Sequence, residues 1–69
     1  MTDKLSNIET RLRKLKGKTL LHHVIKSAMK DSTICAINFI YSQGVDNPKM
    51  MSSVIGKETW ELIQNFKKK

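Results

Sequence analysis

Glycine and proline cut this sequence into short stretches, and within each stretch apolar residues return every three or four positions. Gly17, Gly44, Pro48 and Gly56 mark the cuts. Between them stand Ile8, Leu12 and Leu15, then Leu20, Leu21, Val24 and Ile25, then Ile34, Ile37, Ile40 and Tyr41. The same spacing recurs in Met51, Val54 and Ile55, and in Trp60, Ile63 and Phe66. A period near 3.6 lines one side of a helix, whereas a half-buried strand needs strict alternation. No two-residue hairpin turn joins two alternating runs. The pattern predicts an all-α fold, a small single domain of four to five short helices.

The boundaries follow from end signals. Ser6 with Glu9 has the form of a capping box, in which each side chain satisfies a free backbone N–H. Gly17 has the place of a left-handed cap. The first helix is therefore predicted over 6–16. A second starts near Lys18 or Thr19, with Leu20, Leu21, Val24, Ile25 and Ala28 or Met29 on one side and Lys26 and Lys30 on the other. Asp31, Ser32 and Thr33 are all N-cap residue types, which predicts a break there. The third helix is predicted over 33–43, stopped by Gly44, and is apolar around enough of its girth to be the central element. Asn47-Pro48 has the form of a cap followed by proline at the first helical position, so 48–55 is a short helix ended by Gly56. The last helix is predicted over 58–67, with Glu58 and Glu61 in its first turn, where the helix dipole favours negative charge. Residues 1–5 and 67–69 are expected to fray.

Length limits what such a fold can do. The chain has 69 residues. A domain of this size buries only about 60% of the surface its unfolded chain exposes, and its core supplies roughly 3–5 kcal/mol. That disfavours a deep catalytic pocket and favours a protein that binds something. There is one cysteine, Cys35, so no intramolecular disulfide can form. Its neighbours Ile34, Ala36 and Ile37 predict a buried, inert thiol in a reducing compartment. No stretch reaches the ~20 apolar residues of a membrane span, and the first residues lack the apolar core of a signal peptide. The expected location is cytoplasmic.

Charge gives the sharpest functional signal. Residues 1–30 hold eight basic side chains against two acidic ones, while residues 31–69 hold five against four. Nearly all of the net +7 therefore belongs to the first half. Its densest run is Arg11, Arg13, Lys14, Lys16 and Lys18. A one-sided cationic surface attracts polyanions, and phosphate contacts supply most non-specific nucleic-acid affinity. These five residues are the candidate nucleic-acid contacts.

Other motifs carry less. Gly17-Lys18-Thr19 looks like the end of a phosphate-binding loop, but that loop needs a glycine five positions earlier, where Leu12 stands. His22 and His23 are adjacent, so on a helix they point about 100° apart and cannot share a metal. Cys35 has no partner at zinc spacing. Both histidines are expected at the core boundary. No carboxylate pair or Ser, His and Asp arrangement stands out, so the expectation is no catalytic residue, no metal, no cofactor and no small-molecule substrate. Met50 and Met51 beside Val54 and Ile55 read as core. Trp60 reads as a core anchor.

Particular residues carry a family resemblance. Arg11-Leu12-Arg13-Lys14, then Leu21 and Val24-Ile25, resemble the opening of the Hha/YmoA family of small haemolysin-expression modulators. Ile40-Tyr41-Ser42 looks like that family's Tyr-Ser on its third helix, and Ile55, Trp60 and Ile63 look like its closing helix. The chain departs between Tyr41 and Ile55, where Gln43-Gly44-Val45-Asp46-Asn47-Pro48 replaces a longer helix and connection. The resemblance implies an all-α protein that binds the dimerisation region of an H-NS-type nucleoid protein and modulates gene expression, meeting DNA mainly through that complex. In the family, acidic residues grip arginines of H-NS. Asp46, displaced from the family position, is the nearest candidate here, with Tyr41 beside it as a partner contact. The alternative is a phage- or plasmid-type interaction protein that inhibits or retargets a host enzyme, and a third is a self-associating helical RNA binder.

Overall fold

Residues 3–68 are described by a computed structural model, and they form five helices and no strand. These are α1 (Asp3–Arg13), α2 (Leu20–Asp31), α3 (Thr33–Asp46), α4 (Pro48–Ile55) and α5 (Lys57–Lys67). The Cα radius of gyration is 10.7 Å, close to the ~11 Å expected of one compact domain this long. The single all-α domain read from the sequence is the fold observed.

The first helix begins and ends a turn earlier than the capping box predicts. Leu5 packs against the core, which draws the preceding turn into the helix. Ser6 and Glu9 thus lie inside α1, and Glu9 binds Arg13 instead of capping a backbone N–H. Residues 3–5 and Lys67 are helical; the expectation of fraying at Met1, Thr2 and Lys69 lies outside the described residues. The last turn tightens through bonds from Lys14 N to Arg11 O and from Leu15 N to Leu12 O.

Gly17 does not cap α1. Gly56 is the one glycine at positive φ among the described residues, and the chain over 14–18 is an irregular connection. Thr19 caps α2, its Oγ1 accepting from His22 N at 3.2 Å. The break before α3 is a single residue. Ser32 is extended (φ −172°, ψ 154°), donates its N–H to Ala28 O, and accepts from Cys35 N through its Oγ. One side chain and one peptide thereby close two helices.

α3 runs past Gly44 to Asp46, a correction to the predicted stop. Gly44 is buried within the helix, and the Trp60 ring lies on it. Helix α3 contacts α2, α4 and α5, as expected of a central element, while α1 rests on α5 and α2. Its girth is not fully covered. Ile34 is 42% exposed, and Cys35 is exposed instead of buried. Cys35 lies about 100° or more around α3 from Ala36 and Ile37, so apolar neighbours in sequence put it outside the core.

Pro48 takes the first position of α4, though Asn47 makes no side-chain cap bond. Gly56 closes α4 at φ 95°, ψ 140°, a region essentially confined to glycine. Helix α5 starts at Lys57 with only Glu58 in its first turn, so Glu61 does not have the predicted N-terminal place. Fully covered Ile8, Leu12, Ile25, Ala36, Ile37, Ile40, Met51 and Ile63 form the core with Ile55 and Trp60. Met51 is core as expected, whereas Met50 is exposed.

Candidate nucleic-acid interface

The predicted cations separate into two groups. Arg11, on α1, faces Glu58 on α5, with its Nη1 and Nη2 each 3.3 Å from a carboxylate oxygen. Its Nε donates to Asn7 Oδ1 at 3.3 Å. Arg13 binds Glu9 one turn back at 2.7 Å. Each arginine thus has a carboxylate beside it, and Arg11 also ties α1 to α5. The planar guanidinium fork suits such paired contacts.

Lys14, Lys16 and Lys18 occupy the connection between α1 and α2. All three are exposed, and none lies within ion-pair distance of a carboxylate among the described residues. Burial alternates along this segment: Leu15 and Gly17 are partly covered, while the three lysines are exposed. Alternation in non-helical chain sends successive side chains to opposite sides. Leu15 packs against the core, so the lysines leave on the solvent side.

The mount beneath this loop was not singled out in the sequence. His22 is only 9% exposed. Its Nδ1 lies 2.6 Å from Thr19 Oγ1, and its Nε2 lies 3.1 Å from the Val54 carbonyl. The Val54 carbonyl can only accept, so in the neutral ring Nε2–H donates to it and Nδ1 accepts from the Thr19 hydroxyl, whose oxygen also accepts from His22 N. Gly17 lies against this ring: a Cβ there would stand 1.9 Å from His22 Cε1. The lysine loop is therefore seated on an imidazole that links α2 to α4. Gly17, five residues before His22, is the signal that could have been read as a close approach. The two histidines do not share the core boundary, since His23 is exposed.

The proposed partner residues are not brought together. Tyr41 is partly buried, its ring tilted 37° to Trp60 at 6.3 Å between centroids, with Lys67 Nζ 5.9 Å above it. Asp46 is the exposed last residue of α3. Five residues along a helix turn a side chain by about 140°, so Tyr41 and Asp46 do not form one contact face. Among the described residues no group of three His, Cys, Asp or Glu side chains is placed to hold a metal ion. No described helix is long and apolar enough to cross a membrane.

Comparison with protein families, with characterised proteins and with solved structures finds no match to this chain.

Proposed function

We propose that the protein is a non-catalytic modulator of gene expression that docks on an H-NS-type nucleoid protein and presents a lysine loop to DNA. The observation that carries the DNA half is the set Lys14, Lys16 and Lys18, exposed together and free of described carboxylate partners. Lysine is a hydrated point charge that needs no fixed geometry. Three of them in an irregular loop suit phosphates and offer no base-specific readout. The protein half is supported by the sequence resemblance over roughly residues 8–42 and 55–63, and by a domain too small for a deep active site.

The mechanism is counterion release. Each phosphate contact adds about 0.9 to the slope of log affinity against log salt. Three lysines therefore contribute a slope of roughly 2.7, or about 40-fold between ~50 and ~200 mM salt. The test is DNA retention across that range for the wild type and for Lys14→Gln/Lys16→Gln/Lys18→Gln. The variant should lose most of the slope. An unchanged slope would overturn the assignment of the loop. Titration with an H-NS dimerisation fragment tests the other half, and absence of binding at low salt would refute it.

A further inference from the structure

Helix α2 sorts its exposed residues onto two flanks. At about 100° per residue, His23, Lys26 and Lys30 share an arc of about 60°, and all three are exposed. Leu20, Val24 and Asp31 share a second arc of about 40° and are exposed as well. The arcs are centred about 110° apart, so the acid and the bare apolar pair stand away from the lysines. His22 decides which flank meets the loop. Its buried ring lies against Gly17. Around α2 it stands about 40° from Lys26 but about 160° from Leu20 and Val24. Lys16 and Lys18, the exposed neighbours of Gly17, therefore adjoin the basic flank. Neither Lys26 nor Lys30 has a carboxylate within ion-pair distance among the described residues.

We propose that the lysine loop and the basic flank of α2 form one continuous track for the backbone of duplex DNA. The inference rests on the reading that the loop lysines meet phosphates, and it extends that site along α2. The lengths agree. His23 to Lys30 spans about 10 Å along the helix, and each DNA strand presents a charge every ~3.4 Å of its axis. The flank thus covers about three phosphates of one strand. Lys26 and Lys30 supply charge, and His23, one turn before Lys26, offers a ring N–H to a phosphate oxygen. An anionic membrane engages basic residues together with a broad apolar face, but the exposed apolar side chains of α2, Leu20 and Val24, lie on the other flank. Single strands are held by stacking on aromatic rings, and His23 is the one ring on the track. An intact duplex, gripped through its phosphates, is the occupant that this flank suits.

Fluorescence anisotropy of a labelled mixed-sequence duplex, titrated with the full chain between ~50 and ~200 mM salt, tests the track. Five lysines give a slope of about 4.5, so wild-type affinity should fall roughly 500-fold over that range. The affinity of Lys26→Gln/Lys30→Gln should fall only about 40-fold, as for the loop alone. Lys4→Gln/Lys68→Gln removes the same charge at the far end of α1 and beyond α5, and should keep the wild-type slope. All four side chains are exposed, so both variants should keep the wild-type helical signal. The proposal is overturned if the α2 variant keeps the full slope, or if the remote pair loses as much. It is also overturned if a single strand binds more tightly than the duplex, or if phosphatidylserine vesicles bind and the duplex does not. The loop variant separates this proposal from the reading beneath it. A slope lost by the loop variant but not by the α2 variant overturns the track and leaves the loop. The reverse supports the α2 contact and overturns the loop. Absence of duplex binding by the wild type at ~50 mM salt overturns both.

Discussion

Gly44→Ala sets two opposing effects against each other. Within a helix, alanine is more favourable than glycine by up to about 1 kcal/mol. Gly44 lies near the end of α3, so its share is smaller. Against this stands the indole. A Cβ at position 44 would be 2.2 Å from Trp60 Cη2, 2.5 Å from Cζ3 and 2.7 Å from Cζ2. Ordinary contact begins near 3.4 Å, so the ring has to retreat by more than an ångström. It is a rigid ring, 5% exposed and packed at a tilt against Tyr41, with no flexible end to swing aside. Overpacking of this kind costs about 1–3 kcal/mol. The steric effect wins, and the expected net loss is about 1–2 kcal/mol. In a domain this small each kcal/mol moves the midpoint by roughly 4–8 °C.

Thermal unfolding by circular dichroism measures the loss, and Trp60 emission in the folded protein reports the displaced ring. The double variant Gly44→Ala/Trp60→Leu isolates the cause. With the indole gone, alanine at 44 should become neutral or stabilising, giving a coupling of about 1 kcal/mol or more. A higher midpoint for Gly44→Ala alone, with unchanged emission, would show that the glycine does not exist to admit the ring.

Three further outcomes are expected. Gly17→Ala displaces His22 from Thr19 and Val54, with a loss of about 1–3 kcal/mol by thermal melt, and Gly17→Ser should be no milder. Ser32→Ala removes the bond to Cys35 N and should cost about 1 kcal/mol by denaturant titration; a change within error would mean the corner holds without its hydroxyl. Cys35 should react fully with a maleimide in the folded state, and Cys35→Ser should shift stability by less than about 0.5 kcal/mol; protection of the thiol until unfolding would refute its exposed placement.

What could be read from the sequence was what local chemistry decides. A break within Asp31–Thr33, proline opening α4 and Gly56 closing it each follow from a local backbone requirement, and each is present, the break narrowing to Ser32 alone. Misreadings arose where a distant residue sets the outcome. Gly17 and Gly44 looked like helix ends because that is glycine's commonest local use. Their actual neighbours, His22 and Trp60, come from α2 and α5. Periodicity likewise shows that α2 has an apolar side but not how much of it the other helices cover. The strip runs from Leu20 to Met29, yet α3 and its neighbours cover only part of it, and Leu20 falls beyond them.

The same distinction changes what the basic run means. By sequence, Arg11, Arg13, Lys14, Lys16 and Lys18 are one block of five cations. In the fold, Glu9 and Glu58 stand against the two arginines. These pairs are largely exposed, and such pairs contribute about 0–1 kcal/mol each, so stability is not their main consequence. They reduce the field that the arginines project outward, leaving the three lysines as its source. A phosphate competing for Arg13 must displace a carboxylate, whereas one meeting Lys16 displaces only water and counterions. Arg13→Gln should therefore change the salt slope of DNA retention by less than Lys16→Gln does. Equal changes would mean that the Glu9 pair opens freely when DNA approaches, and that the whole run acts as the contact.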